Sequence, residues 1–323
     1  MVFQTIYRGL YRALHGEVKT YTKWGIILLI VAVVYVLVSL RKEFMIHKEG
    51  FEQREKYLLM NNDELYDEFY ADIYDELFLQ PMKLEYEVSK VSKLTKIGGK
   101  KEHSNSHNRP MLLDVGSGRG HHVDQFQANG INVIGVDKSS AMVKTAKDLY
   151  PSSIFKEGDV NDPMLFPEDN FDVITCFTFT VYYMKDKRLF FDNCYKWLKP
   201  GGFLIVHLVD RNRFDPIVPA GKPMLLVSPQ SVAEKRITNS LVRFNNFQYK
   251  ADFKMPQKGI ECQFNEVFKD DKSGKVRENN HVYYMPTRRV ILDTAKEVGF
   301  SVTGTADLTD CMNEYQYLYF LMK

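Results

Sequence analysis

The stretch Leu112–His122, LLDVGSGRGHH, joins an apolar run to a carboxylate and a glycine-rich turn. A strand that runs into such a turn and then a helix sets backbone N–H groups and a positive helix end beside any bound ligand. Gly116, Gly118 and Gly120 give GxGxG, and His121 stands where the dinucleotide fingerprint GxGxxG has its third glycine, so the spacing alone is weak evidence for a phosphate cradle. Asp114 says more. Two residues ahead of the first glycine, its carboxylate repels a pyrophosphate and attracts an ammonium group. Asp137, in INVIGVDKS, follows Gly116 by 21 residues and has the place from which a carboxylate accepts both hydroxyls of a ribose. Asp159, in EGDVND, is set to accept a hydrogen bond from the exocyclic amine of an adenine. An adenosine with a zwitterionic amino-acid arm and no phosphate satisfies all three carboxylates.

These residues need strand ends to hold them. From Met111 short apolar runs alternate with helical patterns, as in a parallel α/β sheet. The strands are predicted at MLLDV (111–115), INVIGV (131–136), SSIFKE (152–157), FDVITCF (171–177) and GFLIVHL (202–208). Helices are predicted over Ser139–Leu149 and Lys187–Leu198, His121 and His122 open another, and LKPGG (198–202) reads as a stop-and-turn. Upstream, Asn61–Phe78 predicts a helix, with Leu65, Phe69, Ile73 and Leu77 every four residues and Tyr66, Tyr70 and Tyr74 in the next stripe. Arg211–Pro229 reads as a loop; runs near 243–255, 260–269 and 275–284 read as an antiparallel insert. A helix over Thr287–Val298 and the strands FSVTGTA and NEYQYLYFLMK close the chain. The expected fold is α/β, doubly wound, with a mostly parallel seven-stranded sheet, an antiparallel C-terminal hairpin and an antiparallel β insert at about 211–285.

In order and spacing, LLDVGSGRG, GVDKS, EGDVND, FDVITCFTFTVYY and LKPGGFLIV resemble the seven-stranded, class I S-adenosylmethionine-dependent methyltransferases, over about Tyr66 to Lys323. The resemblance implies S-adenosylmethionine as cofactor. By it, Gly116, Ser117 and Gly118 pack against the methionine part, with Asp114 facing its ammonium. Asp137, with Lys138 beside it, holds the ribose; Met142 and Val160 flank the adenine; Asp159 reaches its amine; Phe177 closes over the methyl end. The tyrosine stripe, Tyr70 in particular, covers the cofactor, although pattern alone would read it as packing.

Methyl transfer from a sulfonium is an in-line displacement, in which the protein's task is to hold the nucleophile on the S–CH₃ axis and exclude water. A neutral amine needs no strong base, whereas an oxygen or carbon acceptor needs one. Tyr182, Tyr183, His207 and Asp210 lie near the reacting edge; Tyr183 and His207 are the pocket candidates, no catalytic base is assigned, and His207 within an apolar strand also reads as a structural histidine. TFTVYY stands where some family members carry an Asn-Pro-Pro-Tyr motif, which argues against nucleic-acid bases and glutamine side chains as substrates. Phe244, Phe247, Tyr249, Tyr283 and Tyr284 in the insert form either an apolar lid over the acceptor or ordinary core.

Trp24–Leu40 (WGIILLIVAVVYVLVSL) carries no formal charge and is bounded by Lys23 and Arg41-Lys42, which predicts a single transmembrane helix at the short end of the spanning range. Residues 1–23 form a basic segment and 41–60 a helical stalk, leading into a methyltransferase domain over 61–323. The net charge of +2 argues against a generally basic surface seeking nucleic acid. The four cysteines lack metal-ligand spacing and read as reduced; His103 and His107 lie in an exposed loop. The expected partners are a membrane and a small-molecule or lipid-like acceptor. The expected location is a single-pass membrane protein with a cytosolic domain, or an organelle membrane such as the mitochondrial one. Two readings stand: an active membrane-anchored enzyme, or a methyltransferase-like assembly or scaffolding protein with little or no catalysis.

Overall fold

The computed structural model describes residues 28, 29, 32, 57–97, 110–222, 230, 233–256 and 258–323. Apart from the first three, these belong to the second of two units, Gln53–Lys323. Among the described residues no helix is long and apolar enough to cross a membrane. The basic segment 1–23, stalk residues 41–56, His103 and His107 lie outside the described residues, as does the expected span apart from Leu28, Leu29 and Ala32, which are helical.

In chain order the unit opens with strand β1 (Tyr57–Asn61), helices α1 (Glu68–Phe78) and α2 (Pro81–Thr95), and strand β2 (Met111–Val115). Then come α3 (His121–Ala128), β3 (Asn132–Asp137), α4 (Ser140–Leu149), β4 (Ile154–Glu157) and β5 (Phe171–Cys176). The short helix α5 (Thr180–Tyr183), α6 (Lys187–Trp197) and β6 (Leu198–Val209) follow. The insert supplies β7 (Asn239–Arg243), β8 (Phe247–Lys254), β9 (Glu261–Asp270) and β10 (Val276–Tyr284). Helix α7 (Arg288–Val298) and strands β11 (Ser301–Asp307) and β12 (Gln316–Met322) end the chain.

Seven strands form one sheet in the order β11-β12-β6-β5-β2-β3-β4. β6, β5, β2, β3 and β4 pair in parallel, and β12 runs antiparallel to both β6 and β11. Because β2 is central, Leu112 to Val115 are buried on both faces, as the apolar run requires. Leu112, Val123, Phe126, Val173, Phe177, Ile205 and Phe320 belong to one core cluster of this layer. Strand order reverses between β2 and β5, which opens a crevice at their carboxyl ends. Helices start where the sequence offers caps: Asp67, Ser139 and Asp186 accept from Tyr70 N (3.0 Å), Met142 N (3.0 Å) and Leu189 N (3.1 Å).

The second sheet has five strands in the order β1-β10-β9-β8-β7, antiparallel except for β1 against β10. Here the sequence reading needs correction. Residues 57–60, assigned to a helical stalk, and Asn61, assigned to the helix after it, form a strand, because Tyr57 to Asn61 pair with Val276 to Asn280 far along the chain. The helix predicted from Asn61 starts at Glu68, since Asp67 caps it and Asn62–Glu64 form a separate 3-10 turn. Strand β7 lies ahead of the run expected from 243. LKPGG is no stop: Leu198 already pairs with Phe171, Phe203 pairs with Val173, and the residues between bulge out within a single strand.

Candidate active site

The glycine turn leaves β2 at the crevice. Gly116 and Ser117 donate to Val136 O of the neighbouring strand (2.8 and 3.0 Å), which folds the turn back over β3. Gly116 has φ +68°, and a Cβ there would meet the Thr180 side chain at 2.4 Å, so no other residue fits between the turn and α5. Asp137 braces the turn: one carboxylate oxygen accepts from Gly118 N and the other from Ser139 N, each at 2.9 Å. Burial raises its pKa against the pull of those donors. Asp114 is buried and accepts from Thr175 Oγ1 at 2.7 Å. Burial lifts its carboxyl to about 6, so a nearby cation would favour its charged form strongly.

One cavity runs from this turn to the inner face of the five-stranded sheet. At one end lie Asp114, Gly116, Ser117, Gly118 and Phe177; at the other lie Tyr183, Phe214, Phe253, Phe264 and Tyr283. Tyr66, Tyr70 and Tyr74 roof it from α1 and the segment before it. The roof is tied down, with Ser139 Oγ donating to Tyr66 O at 2.5 Å and Asp67 pairing with the buried Arg277 of β10 at 2.7 Å.

Of the residues singled out in the sequence, Asp114, Gly116, Ser117, Gly118, Phe177, Tyr70 and Tyr183 therefore share one cavity. Asp137, Lys138, Met142, Asp159 and Val160 do not line it. Lys138 pairs with Asp159 at 3.5 Å, and Asp159 also accepts from Asn161 N and Nδ2, both at 2.9 Å. Met142 and Val160 are buried. His207 is a correction. It does not line the cavity, is fully buried, donates from Nδ1 to Thr178 O and sets Nε2 3.0 Å from Gln316 Oε1. Burial pushes its pKa down to about 4, so it is a neutral structural histidine.

Two groupings escaped the sequence reading. His122 opens α3 as expected but also stacks on Phe177 at 4.3 Å and bonds Glu87 of α2 at 2.9 Å, with Lys83 3.7 Å from the same carboxylate. The second grouping is Glu266 and His281 on the inner face of the insert. His281 Nδ1 lies 2.5 Å from the Tyr183 hydroxyl and Nε2 lies 2.7 Å from Glu266. On β10 the inward residues are Arg277, Asn279, His281 and Tyr283. A run of polar residues at every second position was the available signal, and ordinary alternation would have turned that face to solvent.

Among the described residues no cluster could hold a metal ion. All four cysteines are free and buried.

Residues 113–206 match a family model described as a methyltransferase domain. The chain is 32% identical over 143 residues to the dTDP-4-amino-2,3,4,6-tetradeoxy-D-glucose N,N-dimethyltransferase of Saccharopolyspora spinosa, which covers 41% of this chain and 57% of that protein. It is 33% identical over 105 residues to the ubiquinone biosynthesis O-methyltransferase of Nitrobacter winogradskyi, over 31% of this chain and 39% of that one. The matches thus span less than two thirds of either relative. In structure it is similar to an S-adenosylmethionine-dependent methyltransferase from Clostridium acetobutylicum, with TM-score 0.57, 16% identity, and 78% of this chain and 97% of that one covered. The glycine turn, the strand order and these likenesses agree: residues 113–206 match a methyltransferase domain, and the fold is similar to that of solved S-adenosylmethionine-dependent methyltransferases.

Proposed function

We propose that this protein transfers the methyl group of S-adenosylmethionine to a heteroatom of a small, lipophilic acceptor, and that Trp24–Leu40 tethers it to the membrane from which that acceptor comes. The observation that carries the reading is the single cavity, with a buried carboxylate and glycine turn at one end and a hydroxyl set among aromatic rings at the other. Asp114 and the turn suit the methionine arm, with Asp137 and Lys138 toward the ribose and Met142, Asp159 and Val160 toward the adenine. The methyl group then points toward Tyr183 and Phe177, where Phe214, Phe253, Phe264 and Tyr283 exclude water from the displacement.

Similarity to one relative named as an amino-sugar N,N-dimethyltransferase and another named for ubiquinone biosynthesis supports a small acceptor. The apolar inner wall supports a lipophilic one. The domain faces the cytosol, where the cofactor is made, or lies in an organelle that imports it, such as the mitochondrion.

The full chain is incubated with methyl-labelled S-adenosylmethionine and a membrane extract, and products gaining one labelled methyl are sought. A labelled lipophilic product is the expected result. If calorimetry shows no cofactor binding, or Asp137→Ala binds as well as the wild type, the enzyme reading falls and the scaffolding one replaces it. Release of the full chain from membranes by alkaline carbonate would overturn the tether alone.

A further inference from the structure

We propose that Tyr183, His281 and Glu266 form a proton relay that takes the proton from the acceptor heteroatom as it is methylated. The inference rests on reading the cavity as a methyl-transfer site. It assigns a catalytic role to Tyr183, which lines the cavity, and positioning roles to the two residues behind it.

The relay joins three elements distant in sequence. Glu266 of β9 is wholly buried and accepts from Tyr70 Oη at 2.7 Å, Tyr249 Oη at 2.6 Å and Asn279 Nδ2 at 3.4 Å, with His281 Nε2 2.7 Å away. A carboxyl surrounded by donors is an ionised acceptor. His281 therefore carries its proton on Nε2, and Nδ1 is left to accept from the Tyr183 hydroxyl at 2.5 Å. That is the geometry in which a buried carboxylate orients an imidazole and the imidazole receives a hydroxyl proton.

The Tyr183 oxygen has two further neighbours, Tyr66 Oη at 2.8 Å and Tyr283 Oη at 3.3 Å. The second is the weaker contact, and both of those tyrosines line the cavity. An acceptor X–H group that takes the place of Tyr283 sits against the Tyr183 lone pair. The remaining groups facing His281 are the rings of Tyr66, Tyr70, Phe264 and Tyr283, with centroids 6.3, 5.9, 5.3 and 6.0 Å away.

The charge itself argues for function. A carboxylate in an aromatic interior is costly to bury unless it is paired, and an apolar residue would be cheaper there. Among the described residues its only ion-pair partner is His281. Arg277 turns its terminal nitrogens to Asp67 and to Leu65 O instead. The Glu266 charge is compensated when His281 becomes an imidazolium, which is the state the relay creates.

The step balances without any other reactant. The acceptor lone pair forms the X–CH₃ bond as the S–CH₃ bond breaks and its electron pair stays on sulfur. The X–H proton passes to the Tyr183 oxygen, and the Tyr183 hydroxyl proton passes to His281 Nδ1. Departure of the product then lets the imidazolium release its proton to water.

The test uses the full chain with labelled S-adenosylmethionine and two probe acceptors: dopamine, which offers protonated oxygen and nitrogen, and iodide, which has no proton to lose. His281→Gln, Glu266→Gln and Tyr183→Phe are expected to lower the dopamine-to-iodide rate ratio at least ~100-fold, the range of general-base catalysis. Glu266→Asp should recover part of the loss, and the pH–rate profile of His281→Gln should move to the titration of dopamine itself. Calorimetry of cofactor binding shows that each variant is folded. Equal losses with both probes, an unmoved pH profile, or wild-type transfer to iodide alone would overturn the relay and leave the methyl-transfer reading standing. No wild-type transfer to either probe or to a component of the membrane extract would overturn that reading, and the relay with it.

Discussion

Asp114 and His207 are both fully buried ionisable groups on the seven-stranded sheet, and burial pushes them in opposite directions. The Asp114 carboxyl rises from its ordinary 3.8 to about 6, so between those values the folded state binds the extra proton and stability falls as pH rises. The His207 ring drops from 6.5 to about 4, so the unfolded state binds the extra proton and stability rises with pH across that window. The two slopes oppose each other, and single variants separate them. Between pH 4 and 6 the stability of Asp114→Asn relative to wild type should grow by about 1.4 kcal/mol per pH unit, and that of His207→Gln should shrink by a similar amount. Urea denaturation at pH steps measures both; parallel curves for wild type and Asp114→Asn would mean that Asp114 is not held protonated by burial. In the proposed site the ammonium of the methionine arm restores the charge on Asp114, so cofactor affinity should weaken up to tenfold per unit as pH falls below 6. At this scale the sequence was partly readable. The carboxylate ahead of a glycine turn marks itself by a local conflict with phosphate. His207 and His281, by contrast, each sit in an apolar or alternating run, and what separates them is the neighbour folding supplies: a backbone carbonyl for one and a tyrosine at the cavity for the other.

The elements that close the cavity are joined by one ion pair. Asp67 caps α1 through Tyr70 N and also holds the Arg277 guanidinium, whose side chain is 2% exposed while that of Asp67 is 37% exposed. The same carboxylate therefore fixes the start of the roof helix and its seat on β10. Asp67→Ala removes the cap and leaves a buried guanidinium without its anion, with an expected loss of about 3 kcal/mol. Asp67→Asn keeps a capping oxygen and should lose visibly less. Equal losses for the two, measured by urea denaturation, would show that the ion pair and not the cap carries the whole effect. The periodicity of Leu65, Phe69, Ile73 and Leu77 announced α1 but not its start, which lies at Asp67 and not at Asn61; the starts of α4, α6 and α7 fall at capping residues within the predicted ranges or directly before them. The partner of Asp67 was hidden, because a strand whose inward face is Arg277, Asn279, His281 and Tyr283 inverts the usual pattern of polar residues outward.

At the scale of the molecule, two sheets divide the work. The seven-stranded sheet holds the glycine turn and the carboxylates, and its order was legible because each strand end carries its own short motif. The five-stranded sheet was only half legible. Its antiparallel strands are neighbours in sequence, but its edge strand β1 pairs with β10 across more than 200 residues, from Tyr57 opposite Val276 to Asn61 opposite Asn280, and such a pairing leaves no local trace. Asn62, directly after β1, adds a side-chain acceptor for Val282 N at 2.8 Å, next to His281. Residues 57–62 thus brace the strand that carries Tyr283 of the cavity wall. The unit boundary falls ahead of them, between Glu52 and Gln53. Removing residues 1–52 should therefore keep both cofactor affinity and methyl transfer to a soluble probe. Removing residues 1–62 should keep cofactor affinity within about threefold, because the strands and turn of the seven-stranded sheet are untouched, yet lower transfer at least tenfold, since one unsatisfied buried backbone group alone costs roughly 1–3 kcal/mol and loosens β10. Calorimetry and a dopamine transfer assay on the two truncations separate the outcomes. Equal activity in both would show that β1 is dispensable to the acceptor wall, and loss of cofactor binding in the longer deletion would show that the two sheets fold as one.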